Sequence, residues 1–277
     1  MKLIQNKSHF NYLTPVWALL VFLIATSSSC NKTKAPETGG KMIIIFQHSV
    51  GDQELETDTM KYVNAAGNPY LVSEIQYFIS DVCLHTSGGD SILLTKWEDI
   101  HYVDTDIPET LQYNLADSIP EGDYSYISFT FGINEEKNKS LMFVNPPESY
   151  MFWPEYLGGG YHYMKLNGKW KDNNGVITPF NFHLGIGQTY DSAGNITGFI
   201  QNYFRVVLPQ SSFSIKNGQV VEVILNMDVN QWFEDPEIFD FNVWGGDIMQ
   251  KQEAMHIGCM NGHNVFSISE LSILLLE

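Results

Sequence analysis

A period of two runs through this chain. KMIIIFQHSV, YLVSEIQYFISDVCLHTS, GDYSYISFTFGI, GYHYMKLNGKWKD, ITPFNFHLGIGQ, GFIQNYFRVVLP, SFSIKNGQVVEVILNMDV and VFSISELSILLL each read as strand, many of them by alternating apolar with polar or small residues. SILLTKW and IHYVDTD add shorter strands. Turn residues punctuate the series at Gly88-Gly89, Asn167-Gly168, Asn174-Gly175 and Asn217-Gly218. Helical periodicity is thin, and the best stretch for it is DPEIFDFNVWGGDIMQKQEAMHIGCM near the C-terminus. Many short strands joined by Gly and Asn turns predict an all-β protein, an antiparallel β-sandwich with Greek-key-like connections and few short helices. No internal repeat and no second domain boundary is visible.

The N-terminus bears on compartment. Lys2 and Lys7 precede the apolar run VWALLVFLIAT, then Ser27, Ser28, Ser29 and Cys30 follow. That order predicts a lipoprotein signal peptide over 1–29, with Cys30 as the acylated first residue of the mature chain. Residues 30–40 are polar and small, which suits a flexible linker on a lipid anchor, and 41–277 form the folded body. The expected place is the cell envelope of a bacterium, with the body extracytoplasmic and the anchor in a membrane, the outer one preferred. No other run reaches the ~18 apolar residues of a spanning helix.

Loss of residues 1–30 would take the formal charge from −17 to about −19. Arg205 is the single arginine. Such a chain has no cationic stripe to follow a phosphate backbone, so nucleic acid is excluded as a partner. Cys83 and Cys259 are the only cysteines after Cys30. They can pair in an oxidising compartment or stay as buried thiols; both readings stand.

No nucleophile elbow, phosphate loop, His-Glu-x-x-His or Cys-x-x-Cys occurs, so a binding protein is expected rather than an enzyme. The histidines carry more information. His48 sits beside Phe46 in the first strand, His162 between Tyr161 and Tyr163, and His183 in FNFHLG. Met255, His256, Cys259, Met260 and His263 crowd into one short stretch. Imidazole, thioether and thiolate favour copper, the cuprous ion above all. Taken singly, each histidine is more often a hydrogen-bonded structural residue, and the methionines also suit a core helix. A rival reading uses six Trp and fourteen Tyr as stacking faces for carbohydrate or peptide.

The order of IIFQHSVGDQEL, YVNAAGNPYLVSEIQYFISDVCL, IPEGDYSYISFTFGIN, MFWPEYLGGGYHYMKLNGKW, FNFHLG and LNMDVNQWFEDP resembles the MbnP-like family, copper-binding proteins of the methanobactin-cassette type. The resemblance implies an all-β extracytoplasmic fold and a mononuclear copper site built from histidines. It also implies that, in some members, a tryptophan oxidised to kynurenine by a dihaem peroxidase-like partner protein takes part in that site. On this chain it points to His183 in the His-Leu-Gly element, His48 in the first strand and Trp153 in the tryptophan-bearing element. His162, His256 and Met255 are further ligand candidates. Glu155 and Ile186-Gly187-Gln188 stand where founding members carry a second tryptophan and a Ser-Thr-Gly-Cys extension, so the family's disulfide does not transfer.

Overall fold

The computed structural model describes residues 39–94 and 99–276. The expected signal segment, Cys30 and most of the linker lie outside the described residues. Among the described residues, nine strands of five or more residues build the two main sheets. They are β1 (Lys41–Val50), β2 (Pro69–Thr86), β3 (Ile100–Asp104), β4 (Gly122–Phe131), β5 (Met164–Lys171), β6 (Ile177–Leu184), β7 (Phe204–Leu208), β8 (Gln219–Asp228) and β9 (Phe266–Leu275).

The strands form two main sheets. One runs β9-β8-β1, extended by the short strand Gln53–Glu54, with Gln112–Asn114 also on β1. The other runs β6-β5-β2-β4-β7, with β3 and short strands along β2. Nearly all pairings are antiparallel, as the sequence predicts. The exception is β1 with β8, which pair in parallel from Lys41–Val220 to Ser49–Asp228. A parallel pair needs a long crossover, and here residues 51–218 serve as one.

Period two sorts each strand into a core face and an outer face. In β1, Met42, Ile44, Phe46 and His48 are buried while the residues between them are more open. In β5 and β6, Met164, Leu166, Phe180, Phe182 and Leu184 are buried while Lys165, Asn167, Asn181 and His183 are only half-buried or less. The inner faces meet through aromatics. Phe46 packs on Tyr77 at 6.1 Å between ring centroids, and Phe266 on Phe129 at 5.3 Å. Each such ring contributes roughly 1.5–3 kcal/mol by leaving water.

The C-terminal stretch with helical periodicity supplies two helices, α1 (Phe241–Trp244) and α2 (Gln252–Asn261). Phe233, Phe239 and Phe241 from this region interlock with Phe180 and Phe182 of β6, with centroids 5.0–6.3 Å apart. Among the described residues no helix is long and apolar enough to cross a membrane. Cys83 and Cys259 are both free thiols. Burial pushes the Cys259 thiol up to about 12, so it stays protonated where it packs against the core.

One irregular excursion decides the placement of the candidate site. β2 pairs with β5 over Tyr70–Tyr77 and with β4 from Ile79 onward. Phe78 marks the handover, donating its N–H to Tyr163 and accepting from Gly132. The chain between β4 and β5, residues 132–163, leaves the sheet there and returns to it. It forms a second small core of Ile133, Met151 and Tyr161 with Phe78 and Tyr102.

Candidate metal centre

The end of that excursion is a tight hairpin. Trp153 donates its N–H to the Gly160 carbonyl at 2.8 Å, and His162 donates its own to Met151 at 2.6 Å. Gly158, Gly159 and Gly160 turn the chain with φ of +122°, +69° and +75°. L side chains rarely adopt that conformation, and a Cβ at Gly160 would meet Asn138 at 2.5 Å. The three glycines therefore fold the aromatic-rich segment back on itself. They set the Trp153 indole edge-on to His162, with centroids 4.7 Å apart. The indole is fully buried, and its N–H donates to the Leu157 carbonyl at 3.1 Å.

His183 arrives from a different direction. β5 and β6 form a hairpin in which Lys165 pairs with His183 and Asn167 with Asn181. Gln76 of β2 pairs with Lys165, and Glu74 with Asn167. Directly paired residues share a face, so Glu74, Gln76, Lys165, Asn167, Asn181 and His183 line the outer side of the sheet. The hairpin of residues 151–162 brings His162 to this row. The His162 and His183 rings meet edge to face at 5.1 Å.

Hydrogen bonding fixes which nitrogen of each ring carries the proton. His162 Nδ1 lies 2.9 Å from the Met151 carbonyl, which can only accept, so Nδ1 carries the proton and Nε2 the lone pair. His183 Nε2 lies 2.7 Å from Asn167 Oδ1. The Asn167 amide is oriented by its own N–H bond to Glu74 Oε2 at 3.2 Å. His183 Nε2 is thus the donor, and its Nδ1 lone pair is buried with no hydrogen-bond partner. Burial, then the charges of His183 and Lys165, push His162 down to about 3. Burial, then Lys165, push His183 down to about 4. Both rings are neutral at physiological pH, the form that binds a metal.

The other expected ligands lie elsewhere. His48 packs edge-to-face on Tyr77 at 5.8 Å. Tyr77 pairs with Met164, on the opposite side of the sheet from Gln76, Lys165 and His183. Strands β1 and β6 belong to different sheets. The fold therefore does not join His48 to His183. Burial pushes His48 down to about 4, and its Nε2 has no partner, beside a cavity of about 640 Å³. His256 is exposed on α2. Met255 is buried, with its sulfur accepting from Asn202 Nδ2 at 2.9 Å.

The chain is similar to known proteins in two comparisons. The MbnP family model matches residues 39–259. The chain belongs to the MbnP family. A solved structure, MbnP from Methylosinus trichosporium, is 17% identical, with 66% of this chain and 75% of that chain covered and a TM-score of 0.41. No curated protein matches the chain. In this MbnP-family chain, Trp153, His162 and His183 come together, while His48 and His256 do not join them.

Asn167, Lys165, Glu74 and the Met151 carbonyl also shape the site, and sequence reasoning did not single them out. A signal for two of them exists. A hairpin turning at Asn174-Gly175 pairs Lys171 with Ile177, and counting inward by twos places Lys165 and Asn167 beside His183. The carboxylates of Glu74, Asp104 and Asp106 gather nearby, with ligand atoms within 4.8 Å of one another. Asp104 is already engaged by Gln76 Nε2 at 3.0 Å and by the Tyr102 hydroxyl at 2.6 Å.

Proposed function

We propose that the protein binds copper as cargo at His162 and His183, without turnover of its own. The observation that carries this reading is the pair of abutting imidazoles, each with one nitrogen committed to an oxygen acceptor and the other left with its lone pair. Metal-binding histidines ordinarily donate the second N–H to a carbonyl or carboxylate, which fixes tautomer and orientation. Here the Met151 carbonyl and Asn167 Oδ1 do so. The orphaned His183 Nδ1 is the buried polar atom that a bound ion would satisfy. Membership of the MbnP family supports copper as that ion.

The wider reading follows from the N-terminus and the family. Cys30 carries the acyl anchor, the body lies outside the cytoplasm, and the outer membrane is the preferred site. Trp153, at 4.7 Å from His162, is the tryptophan on which a dihaem peroxidase-like partner would act. Mass spectrometry of the native protein reads the state of Trp153 directly. The rival carbohydrate reading loses Trp153, Trp170 and Trp232, which are buried and offer no stacking face, and keeps only exposed rings such as Tyr150, Tyr156 and Tyr190.

Cuprous titration against a chromogenic chelator tests the proposal. Wild type should bind about one ion per chain, and His162→Ala or His183→Ala should each weaken binding by at least tenfold. Retention of wild-type affinity in the His162→Ala/His183→Ala double variant would remove the site.

A further inference from the structure

Strand β9 changes character along its length. Up to Ser272 its exposed residues are polar, namely Ser267, Ser269 and Glu270. Beyond it, Ile273, Leu274, Leu275 and Leu276 are 37%, 45%, 77% and 51% exposed. Among the described strands β9 pairs with β8 alone, so its other edge is open. An open apolar edge invites association, and a contiguous exposed apolar patch marks a protein or membrane contact. This tip lies where the described chain begins. Leu276 donates its N–H to the Gly218 carbonyl at 2.9 Å, and Gly218 donates its own to Gly39 at 3.2 Å. Eight residues separate Gly39 from Cys30. That stretch reaches at most about 30 Å when fully extended.

We infer that Ile273–Leu276 is a membrane-contact tip that seats the body on the bilayer holding its own acyl anchor. The inference rests on the lipoprotein reading above. A few exposed aliphatic side chains bind a bilayer weakly by themselves, but a short tether keeps them at high local concentration beside it. Nearby charges are mixed. Lys216 is exposed, and Glu121 Oε2 accepts from the Asn217 N–H at 3.5 Å. Attraction to anionic lipid therefore does not drive the contact; burial of apolar surface does. The seat sets the orientation of the body. β1 starts beside the tip, where Lys41 pairs with Val220 and Val220 with Leu274. Its far end carries His48, whose ring packs on Tyr77. Tyr77 follows Gln76, which pairs with Lys165 beside His183. From Lys41 to His48 the strand covers about 23 Å at ~3.3 Å per residue. The His162–His183 pair is thus held away from the lipid surface.

The test places the mature acylated protein in phosphatidylcholine vesicles containing lipids brominated high on the acyl chain, and reads tryptophan quenching. Leu275→Trp puts a reporter on the tip. Tyr156→Trp puts one at an exposed position of the 132–163 excursion. That excursion is at the other end of the body: β4 starts at Gly122 opposite Ile215, which lies against Gly40, and ends at Phe131 where the excursion leaves. Emission from Leu275→Trp, corrected for the wild-type tryptophans, should fall about twofold, and that from Tyr156→Trp should not change. Added phosphatidylglycerol should alter neither. In a Leu274→Ser/Leu276→Ser background the tip should lose its quenching while Cys30 keeps the protein on the vesicle. Equal quenching at both positions, or none at the tip of a vesicle-bound protein, would overturn the contact and leave the anchor standing. A soluble dimer of the Cys30→Ala protein that Leu275→Ser dissolves would also overturn it, giving the edge to a second copy. Mass spectrometry showing Cys30 unacylated would overturn both readings.

Discussion

The His162 and His183 rings meet edge to face at 5.1 Å, yet one comes from an irregular excursion and the other from a regular strand. Their lone pairs are set by partners that are not ligand candidates themselves. Asn167 is the clearest case. It accepts the His183 Nε2 proton and is held in turn by Glu74.

Asn167→Leu should therefore lower copper affinity by roughly 10–100-fold, the usual effect of losing an outer-shell partner. The fold should persist, because Asn167 lies on the half-open outer face. Cuprous titration reads the loss, and imidazole nitrogen shifts should show His183 no longer held in one tautomer. Unchanged shifts and unchanged affinity would contradict the tautomer assignment.

Gly185→Ala should destabilise the protein by roughly 1–3 kcal/mol, the range for overpacking a filled core. A Cβ at this position would lie 2.6 Å from Trp153 Cε3. Its φ is not in the left-handed region, so the penalty is steric. Denaturant unfolding measures the cost, and the emission of buried Trp153 should shift with the displaced indole. Wild-type stability would mean that the indole can retreat freely.

Lys137→Met should cost about 2–3 kcal/mol, below the range for a fully buried pair because all three partners keep some solvent exposure. Lys137 bridges Asp81 and Asp99. Asn134 adds an amide bond to Asp81 at 2.9 Å. Together they tie the start of the 132–163 excursion to the sheet. The bridge lowers Asp81 against the opposing effect of burial. Its loss leaves two carboxylates facing each other. Unfolding in denaturant should show the loss, and limited proteolysis should cut earlier between residues 132 and 163.

Acid should weaken the fold before the ordinary carboxylate range is reached. Burial is the first cause that lowers His48, His101 and His183 to about 4 and His162 to about 3. A folded-state value below the unfolded 6.5 gives stability that is complete above pH 6.5 and lost as pH falls toward the folded values. At ~1.4 kcal/mol per pKa unit, the ceiling on that loss is about 3.5 kcal/mol for each of His48, His101 and His183 and about 5 kcal/mol for His162. Glu74 and Asp106 oppose it in the carboxylate range, since burial and neighbouring acids raise both. The denaturation midpoint should therefore fall steadily from pH 6.5 to 5, with several protons taken up on unfolding. A flat midpoint over that interval would show that the histidines are not buried neutral.

Much of the fold was legible in the residues. Alternation located most of the longer strands, Asn174-Gly175 turned the β5–β6 hairpin, and the one stretch with helical periodicity supplied α2. These are local matters, set by which face of a strand water can reach and by which residues tolerate a turn. The soft-ligand content was legible too, and it placed His162 and His183 among the candidates. Which histidines meet was decided only by the tertiary structure. His48 faces the interior because β1 pairs with β8 in the other sheet. His183 faces outward because Phe182 and Leu184 take the inner side. His162 reaches it only because the 132–163 excursion folds back over three glycines onto that outer face. Such long-range packing follows from how whole surfaces fit together, and no window of neighbouring residues encodes it.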